Sequence, residues 1–544
     1  MGCRVANKKE YVANKFCEQL GIKCMQNDKK KIIENQHLPQ SIRNVVKIYP
    51  VSQVNRLYYG GLPHIGNALW DCWSLDKIQK AANAYEDYSL STNLLIKGFA
   101  PPTESKIRLG GGSPAPFRPF MQCLNNVSSV LRQKQLFYYP LAAGDDNFKS
   151  SIIEYFKTNY SRKINENNII FTHGSTQAFT LIMESILDFG DVVIMTSPNY
   201  GLFTFVPERA GGKVRFLELS ANDGWKINSK RVKRLIDQIN TELRIDYDRN
   251  RGKYVFRRSD TTPKVCAFVN YNPHNPTGVI YGNSDKSLLF EVSRVCKNAG
   301  VFIIDDLAYS GLEYDRKNLA LPICSMGDNF DNTITLYTLS KSYGLAGFRS
   351  GLIVANEIIC SFIRDRIFQV ADSLSILQQA AISSIFNVNR KSQNERNKYL
   401  SKITKEYYNR LILVKTILLG KDKNNEQENN ILNKILQTGG LNIKHIEDLG
   451  GIPDVQMVIE PASGFFILLD LTKFLGKSYR GFKIKNDKTL LQFLYTFGNI
   501  KVLTGNAFCW PQNEQLIIRA TIAQPYKELI AGFLRLKRVL GLLR

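Results

Sequence analysis

The stretch NIIFTHGSTQAFTLIMESILDFGDVVIMT, residues 168–196, runs from a short apolar segment through a glycine-and-hydroxyl turn into a helical pattern, then back into an apolar segment. Its periods predict a strand over 169–172, a helix over 177–187 and a strand over 191–196. The rhythm continues downstream with strands at 214–219, 265–270, 301–305 and 333–338 and a helix at 287–298. Strand and helix taking turns over such a length define an α/β domain with a mainly parallel sheet, in which ligands gather at the strand ends. Residues 222–262 break the alternation with a polar, arginine-rich loop around Arg249 and Arg251 and read as an insertion.

On either side the pattern changes. A helix over 146–156 leads into the alternating region, and beyond 362 the chain reads as helical to 419, with 405–419 a long amphipathic piece and 421–430 a polar linker. Strands at 464–470 and 515–522, with helices at 488–497 and 525–543, then form a second, smaller α+β domain. The first 100 residues carry a break at Gly60-Gly61-Leu62-Pro63 and a helix over 74–85, but no chemical motif.

Composition narrows the class. With 544 residues the chain can bury more than one core, and 44% hydrophobic with 22% charged residues is ordinary for a globular protein. No apolar run reaches the roughly 20 residues needed to span a bilayer, and residues 1–9 lack the apolar core of a secretion signal, so the expected location is the cytoplasm. Ten scattered cysteines suit reduced thiols, and five dispersed histidines (His37, His64, His173, His274 and His445) give no metal-binding rhythm. The net charge of +24 is large, yet its lysines are spread among asparagines without a stripe of basic and aromatic residues, which argues against specific nucleic-acid binding.

Five stretches at strand ends carry chemistry. Thr338-Leu339-Ser340-Lys341-Ser342-Tyr343-Gly344 puts an amine just past an apolar strand, with Arg349 eight positions on. A desolvated lysine beside another cation has a lowered pKa and becomes a nucleophile toward carbonyls. Thr172-His173-Gly174-Ser175-Thr176 opens a helix whose free N–H groups suit a phosphate. Ser197-Pro198-Asn199-Tyr200 offers an aromatic that can stack on a flat ring. Tyr271-Asn272-Pro273-His274-Asn275-Pro276-Thr277-Gly278 is a stiff loop that aims Asn275, and Asp305-Asp306-Leu307-Ala308-Tyr309 ends a strand in an acid needing a cationic partner.

Taken together, these motifs resemble the pyridoxal-5′-phosphate enzymes of fold type I, class I/II aminotransferases, in order and spacing, from about residue 107 to 526. The resemblance implies that Lys341 holds the cofactor as an internal aldimine and moves the substrate's proton, and that Asp306 pairs with the pyridine nitrogen. It likewise implies that Asn275 and Tyr309 bond the ring's phenolic oxygen, that Tyr200 stacks on the ring, and that Ser175, Thr176, Thr338 and Arg349 bind the phosphate. Arg519 matches the arginine that grips the substrate carboxylate, and Gly112, in the turn Gly110-Gly111-Gly112-Ser113-Pro114, matches loosely a substrate-side glycine. Tyr139 matches the tyrosine that reaches the cofactor of a neighbouring subunit, implying a homodimer.

The implied organisation is an extension of unknown role (1–100), the first part of the small domain leading into the large one (101–150), the large cofactor-binding domain (151–365, including the 222–262 insertion), and a long helix with the C-terminal small domain (366–544). The implied reaction is transamination between an L-amino acid and a 2-oxo acid. Alternatives are a lyase, decarboxylase or cyclopropane-forming synthase on the same fold, or a non-catalytic regulator that kept it. No arginine can be assigned to a second, side-chain carboxylate.

Overall fold

A computed structural model describes residues 94–188, 190–248, 253–256, 263–438, 450–511 and 514–544, together with two short paired strands at Lys23–Met25 and Ile32–Glu34. The break at Gly60–Pro63 and the helix expected over 74–85 lie outside the described residues.

The alternating region folds into a seven-stranded sheet. Its strands are β1 (Ile169–Thr172), β2 (Val192–Ser197), β3 (Lys213–Glu218), β4 (Val265–Tyr271), β5 (Phe302–Asp306), β6 (Thr333–Thr338) and β7 (Gly351–Val354). They lie in the order β1-β7-β6-β5-β4-β2-β3. β7 alone runs antiparallel to its neighbours, so the sheet is mainly parallel, as the alternation predicts. Parallel strands covered on both faces need apolar residues at every position; β1, β2, β4, β6 and β7 are buried along their whole length. Among the covering helices are α1 (Asp146–Tyr160), α2 (Ser175–Ile186), α3 (Ser229–Arg244), α4 (Lys286–Asn298) and α5 (Glu357–Ala371).

α3 corrects the sequence reading. Residues expected as polar loop form a 16-residue helix that buries Val232, Ile236 and Ile239, spaced four and three apart on one face. Its many charges fill the opposite face and hide the stripe. Among the described residues, a pair of antiparallel strands, Ile245–Asp248 and Lys253–Phe256, then interrupts the alternation before β4.

Downstream, Asn389 caps a 30-residue helix, α6 (Arg390–Leu419), which stops at Gly420 with φ 89°. The expected linker after it is shorter than read, because a helix occupies Glu426–Thr438. A four-stranded antiparallel sheet follows, built from Gln456–Ile459, Phe466–Asp470, Leu503–Thr504 and Ile517–Thr521. Helices Asp487–Gly498 and Tyr526–Leu540 flank it. The early segment Ile107–Arg108 pairs with Ile500–Lys501, and the Thr521 amide donates to the Leu109 carbonyl at 2.6 Å. The glycine turn at 110–112 is thereby carried to the edge of the second sheet, next to Arg519.

Candidate active site

β1, β2, β4, β5 and β6 all point the same way, so their C-terminal ends open on one edge of the sheet. A cavity of about 190 Å³ lies there, and its walls include Ser175, Thr176, Tyr200, Asn275, Asp306, Tyr309, Thr338, Lys341 and Arg349. Stretches far apart in sequence meet because each follows a strand. Arg519 and Gly112 are not among these walls but bond to two of them, Asn275 and Lys341. Tyr139 does not line this cavity; it is 90% exposed.

Lys341 follows β6 and its Nζ donates to the Gly112 carbonyl at 2.7 Å, with the Tyr309 ring 6.0 Å away. Removal from water disfavours the ammonium, and Arg519 and Arg349 repel it; together they outweigh attraction to Asp306 and push the amine down to about 8. Asp306 ends β5, buried, with one oxygen accepting from the Ala308 amide at 3.0 Å. Burial pushes its carboxyl up to about 7, and neighbouring Asp305 adds to the rise while Lys341 opposes it. Asp305 itself is fully enclosed and accepts from Asn270 Nδ2 (2.7 Å) and the Ile323 amide (2.8 Å), an arrangement that fixes the end of β5.

At the far end, α2 starts at Gly174, whose φ of 81° suits glycine, and no side chain caps the helix. A Cβ on Gly174 would lie 2.8 Å from Arg349 Nη2, and one on Gly351 would lie 2.8 Å from the Gly174 Cα. Two glycines therefore let the arginine press against the helix start. Arg349 is in the left-handed region (φ 56°), a strained backbone for an arginine, and donates to the carbonyls of Ala346 (3.0 Å) and His173 (3.2 Å). Thr338 Oγ1 meets Ser340 Oγ and donates to the Ser350 carbonyl, both at 2.9 Å, so it braces the turn before Lys341.

Arg519, 2% exposed, lies with its guanidinium carbon 3.9 Å from the Phe466 ring centre and donates to Asn275 Oδ1 at 3.2 Å and the Gly110 carbonyl at 3.4 Å. Its Nε has no partner among the described residues. Sequence reasoning left out six groups that belong to the walls: Phe203, Tyr271, Pro273, Ala308, Ser340 and Ala346. Tyr271 and Ser340 were within reach, since each adjoins a motif already singled out, at the last position of β4 and one residue before Lys341.

The walls can be tested against pyridoxal 5′-phosphate. Two buried hydroxyls on the cavity, Ser175 Oγ and Tyr271 Oη, have no partner among the described residues, as expected of groups reserved for a ligand. An uncapped helix start with an arginine suits a phosphate, a buried acid suits a protonated ring nitrogen, and an amine with a lowered pKa suits an aldehyde. The donor set fits the cofactor.

Comparison with known proteins gives the same class. A family model for aminotransferases of class I and II matches residues 106–450, and the chain belongs to that family. It is 24% identical over 412 residues to a probable aspartate/prephenate aminotransferase of Aquifex aeolicus, covering 76% of this chain and 85% of the relative. An aspartate aminotransferase of Bacillus subtilis is 26% identical over 280 residues, 51% of this chain and 63% of the relative. Among solved structures, the aspartate aminotransferase from Rhizobium meliloti superposes with a TM-score of 0.63 at 18% identity, covering 86% of this chain and 96% of that one. The aromatic aminotransferase from Pyrococcus horikoshii does so with 0.59 at 19% identity, covering 84% and 98%. The fold is type I, and the protein is a pyridoxal-phosphate-dependent transaminase that moves an amino group between an L-amino acid and a 2-oxo acid in a ping-pong cycle.

Proposed function

We propose that Lys341 is the amine that binds the cofactor's aldehyde covalently and, once a substrate amine has displaced it, carries the proton to and from the substrate's Cα. The supporting observation is the single cavity that Lys341 shares with Asp306, Asn275, Ser175 and Arg349. Bound pyridoxal phosphate supplies an aldehyde that takes up the amino group and a ring that absorbs the electron pair left at Cα. An amine pushed down to about 8 keeps a usable neutral fraction near pH 7 and can accept that proton.

Asp306 is assigned to the ring nitrogen. Its carboxyl, near 7 in the free chain, ionises fully against a cationic partner and holds that partner's proton in place. Asn275 and Tyr309 are assigned to the ring oxygen, Tyr200 to the ring face, and Ser175, Thr176, Arg349 and the open start of α2 to the phosphate. Thr338 supports that end through Ser340. Arg519 is assigned to the substrate's α-carboxylate, its planar fork offering two parallel contacts. Gly112 carries the carbonyl that receives Lys341's ammonium on the substrate side.

Two further proposals concern substrate and assembly. Among the described residues the cations acting on Lys341 are Arg519 and Arg349, which are already assigned to the substrate's α-carboxylate and to the phosphate. We therefore propose monocarboxylic amino acids as preferred donors; a donor panel in which aspartate or glutamate outpaces alanine, leucine and phenylalanine would reject this. A homodimer is supported by the exposed apolar run Phe137 (84%), Tyr138 (75%), Tyr139 (90%) and Leu141 (63%), which a second copy would cover while Tyr139 reaches the copy's phosphate end. Light scattering giving the mass of one chain would reject it.

The large and small domains are proposed to divide near residues 150 and 365, with the small one built from both chain ends; limited proteolysis that cuts elsewhere would contradict this. Among the described residues no helix is long and apolar enough to cross a membrane, and the described cysteines are free. These support a cytoplasmic enzyme, to be checked by fractionation. The site assignment is tested by Lys341→Ala. The variant should fold, lose the cofactor's covalent absorbance band and lose transamination; a band unchanged from wild type would overturn the assignment.

A further inference from the structure

The 272–278 loop contains a buried histidine for which the reaction has no use. His274 is 3% exposed, and each ring nitrogen meets a threonine. Nε2 lies 3.1 Å from Thr196 Oγ1, near the end of β2, and Nδ1 lies 2.8 Å from Thr277 Oγ1, on its own loop. The Pro198 carbonyl also faces the ring. In the neutral ring one nitrogen donates and the other accepts, so the imidazole joins the two threonine hydroxyls from opposite sides. Removal from water keeps the imidazole neutral, pushed down to about 3, and the arrangement does not titrate in the working range.

The loop's backbone closes around the same residue. The His274 amide donates to the Val279 carbonyl at 2.8 Å, and the Gly278 amide donates to the His274 carbonyl at 2.7 Å. Tyr271 meets the ring edge-on at 5.8 Å. The next residue is Asn275, which lines the cofactor cavity and whose Oδ1 accepts from Arg519 Nη1. Among the described contacts, the imidazole is the side chain that ties this loop to the end of β2.

We infer that His274 is a positioning residue: a neutral strut spanning Thr196 and Thr277 that fixes the direction of Asn275 toward both the cofactor cavity and Arg519. Neither an apolar side chain nor a serine does this, because the strut needs a donor and an acceptor on opposite sides of one rigid ring. Removing it lets Asn275 turn. The ring oxygen assigned to Asn275 then loses a donor, its charge holds the neighbouring proton more tightly, and the pH midpoint of the cofactor's visible band rises. Arg519 loses a partner, and substrate carboxylate binding weakens.

The inference rests on the assignment of Asn275 to the cofactor, and the experiment separates the two. Holoenzyme is prepared as wild type, Thr196→Val, Thr277→Val, His274→Phe and His274→Gln. Visible spectra are titrated with pH, KM and kcat are measured, and thermal melts are recorded. The expected result is a raised spectral midpoint in Thr196→Val and a larger rise in His274→Phe. In His274→Phe, KM for the amino acid should increase about tenfold with a smaller change in kcat, and His274→Gln, which keeps a donor and an acceptor, should recover part of both. A lower melting temperature in Thr196→Val and Thr277→Val with midpoint and KM unmoved would overturn the inference and leave His274 a core residue. If His274→Phe fails to fold, the two threonine variants decide. A wild-type cofactor band that does not respond to pH would instead count against the Asn275 assignment itself.

Discussion

Replacing Arg519 by lysine separates geometry from charge in the carboxylate-binding role proposed for it. The guanidinium sits 2% exposed against Phe466, held by Asn275 and Gly110, so its two outer nitrogens have fixed directions. Lysine keeps the positive charge but offers one ammonium point in place of a planar fork, losing one charge-assisted hydrogen bond to the substrate. Such a bond contributes roughly 2 to 3 kcal/mol. At about 1.4 kcal/mol per factor of ten, kcat/KM should fall ~30- to ~150-fold. The charge prediction runs separately. Arg519 is the largest electrostatic influence lowering the Lys341 amine, so the pH at which apoprotein captures cofactor should stay near 8 in Arg519→Lys and move upward in Arg519→Gln. Stopped-flow absorbance on single half-reactions gives the first quantity, and cofactor capture across pH 6 to 11 gives the second. An Arg519→Lys variant within threefold of wild type, or one whose capture profile moves as the glutamine variant's does, would refute the reasoning.

Lys341→Met should stabilise the cofactor-free protein. The enclosed ammonium, lowered from its ordinary 10.5 to about 8, disfavours the native state by about 3 kcal/mol below pH 8. Between pH 8 and 10.5 the unfolded chain still holds a proton that the folded chain has released, so wild type regains stability there and the variant's advantage disappears. Urea unfolding of both proteins at pH 7 and 10.5 checks this, and an advantage equal at the two pH values would contradict it. Gly174→Ala places a Cβ against Arg349 at a φ of 81°, a strain of about 1 to 2 kcal/mol, and should weaken cofactor retention by roughly tenfold; unchanged cofactor affinity by fluorescence titration would show the helix start is not used. If Tyr139 serves the neighbouring site, mixing unfolded Tyr139→Ala and Lys341→Ala chains and refolding them together should restore about a quarter of the wild-type sites. No activity above the parents would argue that Tyr139 acts elsewhere.

Much of the fold is legible in the chain because buried parallel strands are short apolar runs and their helices are amphipathic. β1, β4 and β6 stand out for that reason, their residues being mostly aliphatic, aromatic or threonine whichever face they take. α3 escaped because Val232, Ile236 and Ile239 are three apolar positions among lysines and arginines that fill the exposed face. Gln456–Ile459 and Leu503–Thr504 escaped for another reason: strands of four and two residues are defined by partners found far along the chain, Asp470 and Arg519 among them. The site was more legible than the small sheet, since strand ends carry their chemistry locally. What sequence could not supply is distance. That Gly112 would meet Lys341, or that Asn275 would meet Arg519, depends on the contact between the two sheets. Asp305 shows the same limit, because its influence on Asp306 comes from enclosure that no motif records.

The central claim is that one amine, Lys341, carries the cofactor. Treating the holoenzyme with borohydride reduces an imine to a stable secondary amine, and the modified peptide can then be identified by mass spectrometry. The account predicts a single pyridoxyl group, on the peptide containing Lys341 and on that residue. The same group on any other lysine, or a protein that binds the cofactor without becoming labelled, would contradict it.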